Sequence, residues 1–301
     1  MRNNVPQSFQ EYNQQEVDQL PSGSPGKDGT VEAVFTARDD GMTNVSYQYA
    51  RPPFHLMGDL HHDEQLQHLS TLYIQNPSGG MTQGDHHEVD IKVQPEAQAN
   101  VATQSSTKVY GMEANYASSL TEISVDNNGY LEYMPDPLIL YENSRLHKHT
   151  DIELEQGSTL LLSDILVPGR LARNEFFEFD KYHSQLNVTY DDNEILTDNY
   201  VLTPENTDLQ RDGLMKDFHV FGTIFIISDD FNSHEVNDRI YDHVNEMGEI
   251  TAASSVLPYN TGVVLQILGH TAQSVQQGID RAWDKTRNIL FNVDRRKKRT
   301  Y

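Results

Sequence analysis

The sequence predicts a mainly β fold that ends in two α-helices, and three observations support this. Many short segments between residues 29 and 202 alternate apolar with polar positions and are rich in β-branched and aromatic residues, as in "TVEAVFTARD" and "HHEVDIKVQP". Glycine, proline, asparagine or aspartate separates these segments. Helical periodicity appears in the C-terminal third. The body is therefore predicted to be a sandwich, a barrel or a β-helix, and no fixed repeat period supports a regular solenoid.

The C-terminal third begins with a predicted buried strand, "DFHVFGTIFIIS", and then changes to helical periodicity. Asn232 is a candidate N-cap, with Glu235 three residues later, for a helix over about 232–247. "ITAASSVLP" and "TGVVLQILG" are predicted to form a hairpin through "YN", and a second helix follows over about 271–291. The apolar stripes expected to pack into the core are Val236, Ile240, Val244 and Met247 in the first helix, and Val275, Ile279, Trp283, Thr286 and Leu290 in the second.

Composition divides the chain into one domain and two tails. Residues 1–28 are rich in Asn, Gln, Ser, Gly and Pro and are predicted to be a flexible N-terminal tail. Residues 29–292 are predicted to form a single β-rich domain that includes both helices. Residues 293–301 contain the basic run "DRRKKRTY", which is expected to be a solvated tail or, alternatively, a docking contact.

The chain of 301 residues is strongly acidic, with a formal net charge of -23 and a pI near 4.7. This charge argues against a nucleic-acid partner, because nucleic-acid binding needs cationic side chains that release counterions. It agrees with a surface adapted to salt or to an unusual pH, or with attraction of cations or of a basic protein. The chain has no cysteine, so disulfides and thiolate metal ligands are excluded. Because no secretion signal and no membrane-spanning apolar run is visible, the protein is expected to be cytosolic.

Standard enzyme motifs are missing, and histidine clusters are the only metal-binding signal. The chain has no P-loop, dinucleotide fingerprint, G-x-S-x-G elbow or H-E-x-x-H sequence. The clusters are "HHDE" at 61–64, "HHE" at 86–88 and "HKH" at 147–149. His147 and His149 would share one face of a strand and could chelate zinc, nickel or copper. Alternatively these are surface histidines, because no cluster has the spacing of a closed structural site.

A glycine-rich segment, "NPSGGMTQGD" at 76–85, precedes one of the predicted strands. Gly79, Gly80 and Gly84 allow backbone conformations that other residues avoid. Asp85 stands where the strand resumes. The segment is either a hairpin connection or a device that fixes a carboxylate at the rim of a sheet.

Four motifs in a set order resemble one known family, the urease accessory proteins called UreD, or UreH in some organisms. They are "GGMTQGD" (79–85), "TQSSTKVY" (103–110), "YLEYMPDPLILYENSRLHKHT" (130–150) and "LLSDILVPGRLARNEFFEF" (161–179). The resemblance covers about residues 29–291, and both tails are expected to lie outside it.

The resemblance implies a maturation factor that is not an enzyme, with a β-helical body and a pair of C-terminal helices. Members of this family are thought to bind apo-urease and to recruit UreF-type and, through these, UreG-type accessory proteins. That assembly acts as a chaperone for nickel insertion. The resemblance therefore implies transient nickel(II) and no tightly bound cofactor.

Carried over motif by motif, the resemblance identifies candidate carboxylates for a nickel path: Asp85, Asp136, Asp164 and Glu175. Lys108, Arg170 and Glu142 are the candidate supporting residues. Interior carboxylates would hold a cation weakly enough for transfer. Because burying unpaired acids is costly, we expect a water-filled passage or Arg and Lys counterions. For each acid the alternative role is a turn cap or a salt bridge.

Two other classes of function remain open at this point. A β-rich metalloenzyme of the cupin type would use His86, His147 and His149 and would hold one ion tightly per chain. A carbohydrate- or surface-binding β-sandwich would expose aromatic platforms. The only tryptophan, Trp283, lies instead on the predicted core face of a helix.

Overall fold

The computed structural model describes residues 5–12 and 28–293. The described residues form seventeen β-strands, two α-helices and three short 3₁₀ turns. The strands are β1 (Asp28–Ala37), β2 (Thr43–Arg51), β3 (His55–Leu60), β4 (Ser70–Gln75), β5 (His86–Val93), β6 (Gln98–Thr103), β7 (Thr107–Val109), β8 (Ala117–Val125), β9 (Tyr130–Met134), β10 (Leu138–Leu140), β11 (Arg145–Leu154), β12 (Thr159–Val167), β13 (Lys181–Tyr190), β14 (Asn193–Leu202), β15 (Val220–Ile227), β16 (Ile250–Val256) and β17 (Gly262–Gly269). The helices are α1 (Ser233–Asn245) and α2 (Ala272–Phe291).

The chain alternates between two sheets, which we call the first and the second sheet. The first has the order β14-β13-β11-β8-β5-β1-β2, and the second has the order β16-β17-β15-β12-β9-β6-β4-β3. Their central strands are parallel, whereas antiparallel strands flank the parallel stack on both sides. Each coil adds one strand to each sheet, so the body is β-helical. The predicted mainly β fold with two C-terminal helices is confirmed.

The solenoid-like stacking corrects the expectation drawn from the missing repeat period. In the second sheet β4, β6, β9 and β12 stack one per coil, in parallel register. The connections between them differ in length, and some coils carry a short extra strand, β7 or β10. The repeat therefore exists in the backbone geometry without a self-similar sequence period.

Alternating side chains build apolar clusters on each side of the second sheet. The largest cluster between the sheets contains Ile91, Val101, Ile152 and Leu160. A smaller cluster between the sheets, nearer the β7 and β10 strands, contains Leu146, Leu166 and Tyr182. A third cluster joins the outer face of the second sheet to the helices. Burial of apolar surface in these clusters is the main force that holds the layers together.

Both helices begin and pack as their sequences predict. The Asn232 side chain accepts hydrogen bonds from the backbone N–H groups of His234 and Glu235, and the Thr271 side chain accepts one from Ser274. The buried members of the predicted stripes are Val236, Ile240, Val244, Val275, Ile279 and Thr286. In the described part of the chain, neither helix has the length and apolar character needed to cross a bilayer.

Two predicted connections have opposite outcomes. Strands β16 and β17 pair antiparallel, so the predicted hairpin is confirmed. The glycine-rich segment 76–85 instead joins β4 of the second sheet to β5 of the first, so its interpretation as a hairpin is wrong. Gly79, Gly80 and Gly84 have φ angles of +84°, +153° and +74°, which explains the glycines.

Residues 5–12 pack against the outer face of the first sheet. Phe9 is completely buried, and its ring centroid lies 4.6 Å from that of Tyr116. Lys181 donates a hydrogen bond to the Ser8 carbonyl oxygen at 2.9 Å and forms an ion pair with Glu11. This docked segment differs from the flexible tail predicted for residues 1–28. Residues 1–4, 13–27 and the basic run at 294–301 lie outside the described residues.

Candidate functional site: the interior between the sheets

A polar band runs along the interior of the β-helix, across neighbouring strands. Inward-facing positions of the first sheet place His87, Ser119, Lys148, Ser184 and Tyr200 side by side in register. Apolar clusters border this row on both sides along the strands. Because in-register neighbours are adjacent across strands, the row is a continuous polar lining.

The second sheet contributes the opposite wall of a cavity of about 130 Å³. Asp164 and Thr223 lie opposite each other in register on β12 and β15, and both line this cavity. Asp136, Asp198 and Tyr133 line it too. A polar cavity of this size has room for several water molecules.

Asp164 has a lysine counterion from the facing sheet. Its Oδ2 lies 2.7 Å from Nζ of Lys148, and both side chains are only about one-quarter exposed. Burial raises the pKa of Tyr133 to about 12, with a smaller contribution from the charge of Asp164. Burial and then the charge of Asp164 also raise the pKa of Asp198. Two carboxylates and one ammonium group therefore share the same interior region.

Asp136 lies in the "MPDP" turn after β9 and both caps the turn and lines the cavity. The Asp136 N–H donates to Oγ1 of Thr103 at 2.7 Å, and the Asp136 carboxylate accepts from that hydroxyl at 3.3 Å. The two prolines hold the turn, because proline restricts its own φ and the residue before it. The carboxylate is thereby fixed at the wall of the cavity.

Asp85 lies at the rim of the first sheet, where β5 begins. Its side chain is 1% exposed and accepts a hydrogen bond from the Thr82 N–H at 2.8 Å. The Ser118 N–H donates to the Asp85 carbonyl oxygen at 2.9 Å. Asp85 therefore holds the glycine-rich crossover against the sheet, outside the cavity lined by Asp136 and Asp164.

Glu175 clamps the loop that follows β12. It accepts hydrogen bonds from the backbone N–H groups of Glu142 and Arg170 and from Nε of Arg170, the last at 2.5 Å. Burial acts to raise the pKa of Glu175, but the Arg170 hydrogen bonds and charge outweigh it and lower the pKa. Glu142 contributes its N–H, while its own side chain is exposed. Within residues 5–12 and 28–293, Lys108 forms no side-chain hydrogen bond or ion pair with the candidate acids.

His147 and His149 share the outer face of β11, as their spacing predicts. His147 Nε2 lies 2.9 Å from Oε1 of Gln185, and His149 Nε2 lies 2.6 Å from Oδ2 of Asp151. The ring centroid of Phe9 in the docked segment lies 6.0 Å from that of His147. His86 is two strands away from His147, with Ser118 between them. Across the described residues no group of three or more metal-ligating side chains converges, so the cupin-type arrangement does not form.

A family sequence model described as UreD urease accessory protein matches residues 27–301. The chain is 41% identical over 286 residues to the urease accessory protein UreD of Haloarcula marismortui, covering 95% of each chain. It is 34% identical over 289 residues to that of Natronomonas pharaonis, covering 96% of each chain. It is also 34% identical over 283 residues to that of Photorhabdus laumondii, covering 93% of this chain and 88% of the relative. The chain belongs to the UreD urease accessory protein family.

Membership of the UreD family assigns this chain a role in urease maturation as an accessory protein. The resemblance carried by the four motifs is thus confirmed. The matched region reaches residue 301, so the expectation that the basic end lies outside the resemblance is wrong. Its other boundary, residue 27, agrees with the start of β1.

Sequence reasoning missed a buried ion network in this UreD-family chain, between the second sheet and α2. Arg287 donates through Nε and Nη2 to the two Glu132 oxygens at 2.5 and 2.6 Å, and through Nη1 to Asp63 at 2.6 Å. Trp283 and Tyr130 also donate to Glu132, at 2.7 and 2.6 Å. Glu132 stands inside the quoted "YLEYMPDP" motif, but no local pattern identifies a partner 155 residues away.

His147, beneath the docked segment, is expected to make the stability of this UreD-family protein depend on pH. Burial lowers the pKa of His147, and the neighbouring His183 and His149 lower it further, against the Gln185 hydrogen bond. With a folded pKa below the unfolded value near 6.5, His147 binds more protons in the unfolded chain. Its contribution to stability is therefore present above about pH 6.5 and is lost as the pH falls through the folded pKa.

We expect His147→Gln to reduce the fall in Tm between about pH 7.5 and pH 5.5 by on the order of 2 °C relative to the wild type. Thermal unfolding followed by circular dichroism measures both slopes. His234→Gln, at an exposed position on α1, is the control and should keep the wild-type slope. Equal slopes for wild type and His147→Gln would contradict the assignment.

Proposed function

We propose that this chain is a scaffold in urease maturation that binds apo-urease and recruits UreF-type and UreG-type accessory proteins in the cytoplasm. We further propose that nickel(II), as cargo, passes along the polar band between the two sheets. The family supports the first statement at the level of an accessory role. The second statement, the nickel path, rests on the polar and charged side chains that line the cavity between the sheets.

The single observation that carries the nickel path is a charged, polar lining inside a β-helix whose interior also holds two apolar clusters. Asp136 and Asp164 line the cavity, and Lys148 and Asp198 line it beside them. Partly buried charges are costly, and they serve no packing purpose that an apolar residue would not serve better. Their placement along the axis therefore supports transport of a cation.

Oxygen ligands suit transfer because they hold nickel less tightly than imidazole or thiolate sets do. Passage requires sites that attract an ion but release it to the next site. Asp136 and Asp164 provide separated carboxylates on the same cavity wall, and no third metal ligand converges on either in the described residues. We assign Asp85 and Glu175 to holding loops at the rim, because their carboxylates are occupied by local donors.

The test is urease activation in cells that express the urease subunits and all accessory proteins at limiting nickel. Asp164→Asn and Asp136→Asn should each lower urease activity by about tenfold, as loss of one metal-contacting group typically does. Asp192→Asn, in the exposed β13–β14 turn, removes the same charge and should activate normally. Normal activation by a folded Asp164→Asn protein would reject the path.

Co-purification from the same strains tests the scaffold role separately from the nickel path. Asp164→Asn should still co-purify with UreF-type protein and with urease subunits, because the substitution lies inside the body and leaves its surface unchanged. Loss of co-purification would mean that the lower activity comes from failed assembly.

A further inference from the structure

We propose that the ε-ammonium group of Lys148 occupies a divalent-cation position in the interior, and that an incoming ion must displace it from Asp164. This inference rests on the proposed nickel path and specifies how that path is controlled. Lys148 would be a resident counter-cation that occupies the Asp164 carboxylate and prevents tight retention of metal.

The geometry of the pair points to this role. Lys148 is on β11 of the first sheet and Asp164 is on β12 of the second, so their 2.7 Å contact spans the interior from wall to wall. Ser119 and Ser184 lie in register with Lys148 on the neighbouring strands, so the lysine stem has small polar neighbours on both sides. The ion pair thus crosses the route that a cation would follow.

A second carboxylate makes the position suitable for a divalent ion. Asp198 on β14 lines the same cavity, and among the described residues its carboxylate forms no hydrogen bond or ion pair. The charge of Asp164 acts on Asp198 and, together with burial, raises its pKa. Two carboxylates therefore line the same cavity as one ammonium group, which is paired with Asp164.

The chemistry of lysine suits a displaceable cation. Its ammonium group is a compact point charge on a flexible stem, so it can leave Asp164 without movement of the backbone. An arginine at the same position would form a bidentate pair that is harder to break. A divalent ion must compete with the ammonium group for the Asp164 oxygen, and this competition weakens its binding.

The experiment measures Ni²⁺ binding to the purified full-length protein by equilibrium dialysis at neutral pH, without urease. Lys148→Met should bind Ni²⁺ about tenfold more tightly than the wild type, and Lys148→Met/Asp164→Asn should lose that gain. Lys92→Met changes the net charge equally at an exposed site on the outer face of β5, and it should bind as the wild type does. A Lys148→Met affinity equal to that of Lys92→Met would overturn the proposal, as would a gain that persists in the double variant.

A second variant keeps the proposal testable should Lys148→Met fail to fold. Lys148→Arg preserves the charge and the pair, and we expect Ni²⁺ binding several-fold weaker than in the wild type. Binding as strong as the wild type would overturn the proposal.

The two proposals fail in different assays. A gain of Ni²⁺ affinity in Lys148→Met, with normal urease activation by Asp164→Asn, keeps the lysine-occupied cation position and rejects the path. Reduced activation by Asp164→Asn, with no change in affinity on Lys148→Met, keeps the path and rejects the role of Lys148.

Discussion

Replacing Arg287 with methionine should lower the free energy of unfolding by about 3–5 kcal/mol, the typical cost of removing one partner from a buried ion pair. Arg287 is 2% exposed, and its guanidinium donates to both Glu132 and Asp63. Without it, the completely buried Glu132 has no cationic partner among the described residues. Denaturant unfolding measures the loss directly.

The charged groups of this network shift the pKa values of their partners. Burial acts to raise the pKa of Asp63, but the hydrogen bond and charge of Arg287, with the amides of Leu66 and Gln65, outweigh it and lower the pKa. Burial opposes the charge of Arg287, yet Glu132 and Asp63 raise its pKa above the ordinary value. Removal of the arginine therefore removes the hydrogen bond and the charge that lower the pKa of Asp63.

Arg239→Met is the matched control for Arg287→Met. Arg239 is on α1, is 41% exposed, and forms an i,i+4 pair with Glu235 at 3.5 Å. Exposed pairs of this kind contribute about 0.5 kcal/mol or less. Equal losses for the two variants would show that the buried network does not hold α2 on the second sheet.

Gly80→Ala should be the most damaging substitution in the crossover between the sheets, with a loss of at least about 2 kcal/mol. Gly80 has a φ of +153°, and a Cβ there would lie 2.2 Å from the carbonyl oxygen of Lys108. That oxygen accepts a hydrogen bond from the Met81 N–H at 2.7 Å, so the two segments cannot separate freely. The stability of the purified variant in denaturant measures the cost.

Gly41→Ala distinguishes backbone strain from the close contact. Gly41 has a φ of +80°, but a Cβ there would meet nothing within 4 Å. We expect a loss of about 1 kcal/mol from the left-handed conformation alone. If Gly80→Ala costs no more than Gly41→Ala, the crossover is not locked against Lys108.

Local features of the fold were predictable because they depend on neighbouring residues. Period-2 alternation identifies most of the strands, and Asn232 marks the start of α1 through the amides that it caps. The parallel pairing was not predictable in this way, since it joins strands from successive coils and leaves no local signature. The docking of residues 5–12 depends on Phe9 reaching a distant surface, which composition does not reveal.

The candidate site, too, was predictable only in the part that depends on local sequence. The motifs identified Asp136 and Asp164, which line the cavity, and also Asp85 and Glu175, which hold loops outside it. Spacing alone does not distinguish these cases, because all four acids stand within the same four motifs. The pairing of Lys148 with Asp164 is absent from any motif argument. It arises because inward positions of two different sheets face each other across the interior.

Because each coil adds one strand to each sheet, the number of coils sets the length of the interior between the sheets. Neighbouring strands lie about 4.8 Å apart, so gain or loss of a whole coil would lengthen or shorten the interior between the sheets by that distance. The cross-section of the interior would stay the same. The antiparallel strands beside the parallel stack mark where such additions stop. The length of the interior and the chemistry of its walls can therefore be altered independently, the first by adding or removing coils and the second by exchanging inward side chains.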